Sequence, residues 1–197
     1  MPAFERIELA GRTDVTVAPG DPSVTVRGDD HLIAEVVTDV EGDTLTVGER
    51  RPVGPRAELE VEVTTQQLHG AAPRGSGDLI ARDVVDATFI ATLDGSGDLT
   101  IDGIDAETLT ANLNGSGDLH AAGRAAQVDL EISGSGEADL QDLAARNATV
   151  ELEGSGDATV NVSQVLEAST SGSGNVLYSG DPAVDRETSG SGEVRPQ

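Results

Sequence analysis

The chain has 197 residues, of which 36 are Asp or Glu and 12 are Arg, so its formal net charge at pH 7 is −24. Nucleic-acid backbones are bound by basic residues that displace phosphate counterions, so this charge excludes sequence-independent nucleic-acid binding and argues against docking on anionic lipid. No run of residues approaches the roughly 18 apolar side chains of a membrane-spanning helix, and no membrane insertion is predicted. Cys is absent, which excludes disulfides and thiolate chemistry.

The first 70 residues alternate between apolar and polar side chains in short segments, which is the pattern of half-buried β-strands. Turn-forming Gly, Pro and Asp separate these segments, as at Pro19–Pro22 and Glu41–Asp43. Arg50–Arg56 contains two prolines and is predicted to be an irregular connection. We expect this part of the chain to cap the repeats that follow, or to form their first turns. The predicted strands are Phe4–Leu9, Asp14–Ala18, Ser23–Arg27, Ile33–Thr38, Thr44–Val47 and Glu58–Thr64.

From residue 71 onward the chain is organised by a repeated tripeptide, Gly-Ser-Gly. Its seven copies are spaced by 20, 20, 19, 20, 18 and 18 residues, a regularity that is typical of repeat architectures. An acidic residue or Asn follows every copy. The copies begin at Gly75, Gly95, Gly115, Gly134, Gly154, Gly172 and Gly190.

Apolar side chains flank each copy at every second position. Phe89, Ala91 and Leu93 precede the second copy, for example, and Leu99 follows it. This alternation predicts two short, half-buried strands per repeat. A unit of about 20 residues cannot bury its apolar side chains alone, so successive copies must stack. The sequence therefore predicts an all-β parallel β-solenoid, in which residues 71–197 form seven repeats with glycine-rich corners.

The order of these segments resembles the head GIN domain family of autotransporter-type adhesins. The resemblance covers residues 4–193 and implies that they form a single domain. It further implies a right-handed β-helix whose turns carry Gly-Ser-Gly-Asp corners, a cell-surface or adhesive role, no catalytic residues and no cofactor. The matching segments are Phe4–Leu9, Asp14–Val17, Ser23–Val26, Asp43–Val47, Glu60–Thr64 and Gly75–Asp78.

The start of the chain bears on where the protein acts. Met-Pro-Ala-Phe-Glu-Arg lacks the apolar stretch of a secretory signal peptide. The residues therefore leave a cytoplasmic location open, whereas the resemblance implies the cell surface. An intracellular scaffold or assembly module is the alternative to an adhesin-like module.

The residues that follow the Gly-Ser-Gly copies are the sharpest candidates for a ligand site. In an in-register stack their side chains form one column with a spacing of about 4.8 Å. Like charges at that distance repel by about 1 kcal/mol per pair in water. Bound Ca²⁺, which prefers carboxylate and carbonyl oxygens, would offset this repulsion, and the alternative is a solvated column screened by salt. The calcium candidates are Asp78, Asp98, Asp118, Glu137 and Asp157.

The composition also suggests that the protein works at high salt concentration. The absence of Lys together with abundant Asp and Glu resembles the proteins of extreme halophiles, especially haloarchaea. A net charge this large destabilises a compact chain unless salt screens it. We therefore predict that the fold is less stable at low ionic strength.

The sequence contains no recognisable catalytic motif. His31, His69 and His120 lie in unrelated segments without the spacing of metal ligands, and we expect them at the surface or in turns. The recurring serines offer no single distinguished nucleophile. A carbohydrate-active β-helix enzyme would need Asp and Arg that converge on one cleft. The basic residues of the repeats are instead spread over separate turns, at Arg82, Arg124, Arg146 and Arg186.

The sequence favours a non-enzymatic β-solenoid module with an adhesin-like role. Its expected partner is an unidentified surface ligand or polysaccharide, bound through many weak contacts of its polar faces. Neither a cofactor nor nucleic acid is expected, and the open C-terminal turn suggests homo-oligomerisation. The alternatives that remain are the intracellular scaffold, a carbohydrate-active enzyme and a calcium-binding repeat protein.

Overall fold

The computed structural model describes residues 2–51 and 59–197. Apart from one helical turn, their regular elements are strands of a single β-sheet that winds around a common core. No helix in these two ranges is long and apolar enough to cross a membrane. The elements of the first part are β1 (Arg6–Leu9), β2 (Asp14–Pro19), β3 (Ser23–Gly28), α1 (Asp30–Ile33), β4 (Val36–Glu41), β5 (Thr44–Glu49), β6 (Leu59–Thr65) and β7 (Gly70–Pro73).

The Gly-Ser-Gly repeats form the rest of the sheet. Their strands are β8 (Leu79–Arg82), β9 (Val85–Leu93), β10 (Leu99–Leu113), β11 (Leu119–Ile132), β12 (Ala138–Gly154), β13 (Ala158–Gly172), β14 (Val176–Ser179), β15 (Ala183–Gly190) and β16 (Val194–Pro196). Strands of successive turns pair in parallel with their equivalents, so that Leu99 of β10 lies beside Leu119 of β11, and Leu113 beside Ile132. This stacking makes a β-solenoid of about six turns, which confirms the predicted fold.

Each complete turn has three legs. In β10 the first leg is Leu99–Asp102, the second Ile104–Ala106 and the third Thr108–Leu113, with bends at exposed residues between them. The first and third legs are the two strands that the sequence predicts. The turn of β8 and β9 has the two predicted strands. β10 instead runs on through a second leg that the sequence does not predict, because this leg buries just two alternating side chains.

The inward side chains of the three legs stack into one core along the coil. Neighbouring turns lie about 4.8 Å apart, so each buried side chain contacts its equivalents above and below. Towards the C-terminal end the core thins: Val184, which lies beside Leu166 in the last turn, is 36% exposed. The buried column of the third leg consists of Phe89, Leu109, Val128, Ala148 and Leu166.

The glycine corners are dictated by how closely successive turns approach. A Cβ atom added to Gly95 would lie 2.1 Å from the carbonyl oxygen of Gly75, and one added to Gly97 would lie 2.1 Å from that of Gly77. No side chain fits at such a distance. The serine between them contributes through its backbone, since the N–H of Ser96 donates to the carbonyl oxygen of Gly75 at 3.0 Å.

The N-terminal strands continue the coil and cover its end. β1 pairs in parallel with β5 and β7, and β2 pairs in parallel with β6 and β8. The corner between β1 and β2 is so close to the first Gly-Ser-Gly that a Cβ atom on Gly75 would lie 1.9 Å from the carbonyl oxygen of Gly11. β3 and β4 pair antiparallel with β6 and β5 and occupy their outer edges. The parallel stack therefore ends in antiparallel strands on this side of the coil.

Two predicted segments of this part differ from the structure or fall outside it. Strand β4 begins only at Val36, because the N–H groups of two preceding residues donate to the carbonyl oxygen of Asp29 and form α1. The prediction of a strand from Ile33 is therefore wrong at its start, which belongs to the helical turn. Within the predicted connection Arg50–Arg56, residues 52–56 lie outside the described ranges.

Candidate binding site

The residues that follow the Gly-Ser-Gly copies form a hydrogen-bonded column, here called the corner column. The N–H of Asp98 donates to Oδ1 of Asp78 at 2.9 Å, and the N–H of Asp118 donates to Oδ1 of Asp98 at 2.9 Å. Both of these side chains therefore accept a hydrogen bond from the backbone of the next turn. The same bond recurs in the donor–acceptor pairs Asp78–Asp14, Glu137–Asp118, Asn175–Asp157 and Glu193–Asn175.

These bonds give the acidic residues a structural role. A charge-assisted hydrogen bond from an amide stabilises a carboxylate and offsets part of the repulsion from its neighbours in the column. Glu137 interrupts the pattern. No hydrogen bond joins its carboxylate to the N–H of Asp157 in the part of the chain that the structure describes, whereas shorter side chains make this bond in the turns before and after.

The corner column contains all the calcium candidates: Asp78, Asp98, Asp118, Glu137 and Asp157. Across residues 2–51 and 59–197, no group of three or more His, Asp or Glu side chains is arranged to hold a metal ion. In four of the candidates, Asp78, Asp98, Asp118 and Asp157, Oδ1 already accepts an amide N–H. Calcium binding stays a prediction of the sequence alone.

Two of the three histidines lie beside carboxylates. Nδ1 of His69 is 2.5 Å from Oδ2 of Asp86, and its Nε2 is 3.3 Å from Oε2 of Glu5. Nδ1 of His120 lies 3.6 Å from Oδ2 of Asp139. The third histidine, His31, is exposed in α1. His69 thereby links the start of the chain to the first repeat.

A groove of about 640 Å³ crosses the second legs of β10 to β13, and we call it the second-leg groove. Such a volume lies in the range of small-molecule sites in proteins. Its apolar lining consists of alanines, of which Ala125 and Ala145 are buried and Ala144 is exposed. Its polar lining consists of Asp105, Glu107, Arg124, Arg146, Asn161 and Ser163.

The groove forms where the repeat length changes. β10 and β11 shift in register between Asp102 and Ile104, and β12 and β13 shift between Leu140 and Ala144. The spacing of the Gly-Ser-Gly copies falls to 19 and 18 residues over the turns that contain β11 and β13. These turns omit residues beside the paired second legs, so the bends of neighbouring turns are out of line and leave a concavity.

In the second-leg groove a carboxylate holds Arg124 in place, whereas Arg146 has no such partner among the described residues. Nε of Arg124 donates to Oδ1 of Asp105 at 2.7 Å, and its Nη2 donates to Oδ2 of the same carboxylate. This hydrogen-bonded pairing lowers the pKa of Asp105 and raises the pKa of Arg124, so both groups stay charged. Arg146 has no carboxylate within 4.0 Å among the described residues.

The fold brings together only two of the four arginines that the sequence singles out. Arg124 and Arg146 meet in the second-leg groove, whereas Arg82 lies on the first leg of an earlier turn. Arg186 lies at the end of the coil, where its Nη1 donates to the carbonyl oxygen of Val194 at 2.8 Å. The sequence analysis does not predict the second-leg groove. The signal that could have indicated it is the shortened spacing of the Gly-Ser-Gly copies next to Ala-rich segments.

A smaller pocket of about 260 Å³ lies beside the bend between β8 and β9. Leu68, Arg82 and Val85 contribute to its lining, and Val85 is 72% exposed. Asp83 in the bend has a φ of 50°, a left-handed conformation that non-glycine residues rarely adopt. The pocket thus combines an exposed apolar side chain, a guanidinium and a strained backbone.

Comparison with known proteins agrees with this architecture. In the search of solved structures, a “putative adhesin” from Bacteroides fragilis has a TM-score of 0.93 at 21% identity, covering 100% of this chain and 93% of that chain. A “putative lipid binding protein” from Parabacteroides distasonis has a TM-score of 0.78 at 24% identity, covering 99% of this chain and 93% of its own. A “putative adhesin” from Parabacteroides merdae has a TM-score of 0.74 at 22% identity, covering 100% and 93%. At these identities the similarity shows the fold alone.

The family of the chain follows from a sequence model. A search of proteins with curated functions finds no match. The family model described as “Putative auto-transporter adhesin, head GIN domain” matches residues 3–182, which is most of the chain. The β-solenoid with its glycine corners is in keeping with that match. This protein therefore belongs to the head GIN domain family of auto-transporter adhesins.

Proposed function

We propose that this chain is a non-catalytic, adhesin-like module of the cell surface, in which residues 4–193 work as one unit. Family membership supports the adhesive role. The observation that carries the proposal is the outer face of the third legs, where polar side chains stand in register. Thr110 lies beside Asp129, which lies beside Thr149. Equivalent groups repeated along a rigid rod favour many weak contacts over one strong contact.

The non-catalytic part of the proposal rests on the carboxylates of the second-leg groove. A glycoside hydrolase needs a carboxylic acid with a raised pKa as proton donor. Pairing with Arg124 instead lowers the pKa of Asp105, which makes this group unsuited to donate a proton. Incubation with polysaccharides should therefore release no new reducing ends, and their release at a rate that depends on Asp105 would contradict the proposal.

Protease treatment of intact native cells tests the location. We expect an antibody against this protein to lose its signal on shaving, while a cytosolic marker is retained. Lysed cells treated in the same way serve as the control that the folded chain can be cleaved at all. A signal found only in the cytosol would contradict the surface role and favour an intracellular scaffold.

Homo-oligomerisation belongs to the same proposal. In the described residues no strand pairs with the outer edges of β15 and β16, so a second copy can add there. Asp185 and Glu187 of β15 are exposed, and their charges repel an identical strand. We therefore expect association only at high salt, measured as molar mass by light scattering. A monomer at every salt concentration would remove this part of the proposal.

Lipid binding is a second candidate function, and the smaller pocket favours it. One similar structure carries the name “Putative lipid binding protein”. Val85 and Leu68 would contact a short acyl chain, and Arg82 would pair with its carboxylate. We expect a fluorescent fatty acid to bind and the Val85→Asp variant to release it. A probe that does not bind the unaltered chain would remove this candidate.

A further inference from the structure

We propose that the second-leg groove binds a neutral oligosaccharide and so supplies the ligand site of the adhesin-like module. The inference rests on the function proposed above and adds the ligand class. The groove crosses four neighbouring second legs, which spans about 14 Å at the strand spacing of a β-sheet. That length suits an oligosaccharide better than a single sugar ring.

The lining of the groove matches the two kinds of surface that a sugar presents. A pyranose ring has apolar C–H groups on its faces and hydroxyls, each a donor and an acceptor, around its rim. Ala126 and Ala144 offer methyl groups to the C–H face. Carboxylate, guanidinium and amide groups around them offer planar sets of donors and acceptors, which pair with adjacent hydroxyls.

The polar side chains are held in position by contacts within the protein. Asp105 and Arg124 orient each other through two hydrogen bonds. Nδ2 of Asn161 donates to a backbone carbonyl at 3.3 Å, which leaves its Oδ1 as an acceptor. Oγ of Ser163 donates to a backbone carbonyl at 3.1 Å and keeps its lone pairs. Groups that are already ordered lose little conformational entropy when a ligand binds.

The negative charge of the protein favours a neutral sugar over an acidic one as the ligand. The net charge of −24 repels polyuronates and sulfated glycans, and its field extends about 10 Å from the surface at moderate salt. Inside the groove the charges balance, because Asp105 and Glu107 oppose Arg124 and Arg146. A neutral ligand is not repelled by the molecule, and Arg146 is free to donate to its hydroxyls.

Titration of the isotopically labelled full chain, followed by NMR, tests the inference. The probes are neutral trisaccharides of glucose, mannose and galactose, with trigalacturonate as the acidic comparison. We expect at least one neutral trisaccharide to bind with a Kd of about 1 mM, the weak range that multivalent display compensates. The amide signals that move should be those of residues 105–107, 124–126, 144–146 and 161–163, and trigalacturonate should move none of them.

Two variants and two matched controls locate the site. Ala144→Leu fills the groove from an exposed position and should abolish binding, and Arg146→Ala should weaken it about tenfold. Ala87→Leu and Arg12→Ala make the same exchanges at exposed positions outside the groove and should leave the Kd unchanged. Unperturbed spectra of all four variants will show that the fold is intact.

The inference is overturned if none of the neutral trisaccharides binds, if trigalacturonate binds more tightly, or if Ala144→Leu leaves binding intact. Failure of this inference can be distinguished from failure of the proposed adhesive role. Cells or matrix that still adhere to the Ala144→Leu variant would keep the adhesive role and move its ligand site elsewhere. A cytosolic protein that binds the trisaccharide would keep the groove and remove the surface role.

Discussion

At the scale of the residue, the acidic side chains of the corner column act as acceptors for the backbone of the next turn. Glu137 is the one place in the described column where the N–H of the next turn, on Asp157, lacks this bond. The shorter side chain in Glu137→Asp restores the geometry of the other turns. We expect the free energy of unfolding in urea to rise by about 0.5–1 kcal/mol, the contribution of one exposed hydrogen bond.

The matched control for this exchange is Glu137→Gln, which removes the charge and keeps the length of the side chain. It should not reproduce the gain, because the longer side chain places its oxygen no better. If Glu137→Gln stabilises the chain as much as Glu137→Asp, relief of charge repulsion and not the hydrogen bond is the cause.

The corner glycines are the least replaceable residues of the coil. In Gly97→Ala the new methyl group would lie 2.1 Å from the carbonyl oxygen of Gly77, so two turns must separate. We expect a loss of at least about 2 kcal/mol in the free energy of unfolding. In the control Gly48→Ala the methyl group lies 3.8 Å from the Cβ atom of Ala10, an ordinary contact, and stability should change by less than about 1 kcal/mol. Equal effects of the two exchanges would contradict the role of close turn stacking.

At the scale of the element, the third leg of β13 carries a defect in the core. Thr170 is 1% exposed, and its Oγ1 has no hydrogen-bond partner among the residues that the structure describes. The same position holds Leu152 one turn earlier. Thr170→Val keeps the shape and removes the unpaired hydroxyl, so we expect a gain of about 1 kcal/mol in urea unfolding. Thr188→Val, one turn later and exposed, is the control and should have no effect. A loss of stability in Thr170→Val would show that the hydroxyl has a partner.

The sequence predicts the first and third legs and the corners, because their side chains obey strict spacing. Phe89, Leu109 and Val128 recur at fixed distances before the glycines and are all buried. The second leg escapes prediction because its inward residues, such as Ile104 and Ala106, are few and the repeat length varies there. The groove escapes with it, since a concavity between second legs depends on register shifts that only the paired strands reveal.

At the scale of the whole molecule, repulsion among the acidic side chains destabilises the folded state. Glu131 and Glu151 lie directly beside each other on adjacent turns, one of the like-charge contacts that a net charge of −24 produces. We expect the Tm to rise between about 0.1 and 2 M KCl as the Debye length falls from about 10 Å to below about 3 Å. Glu131→Gln should raise the Tm at low salt and lose this advantage at high salt. A Tm that is independent of salt would contradict the halophilic interpretation.

Adhesion itself is the most direct test of the account. Beads coated with the full chain display many copies, so weak contacts should add to an avidity about 100-fold above that of one copy. The account predicts that coated beads attach to the native cells or their matrix, that excess soluble chain displaces them, and that beads coated with the urea-unfolded chain do not attach. Coated beads that attach no better than those with unfolded chain would contradict it.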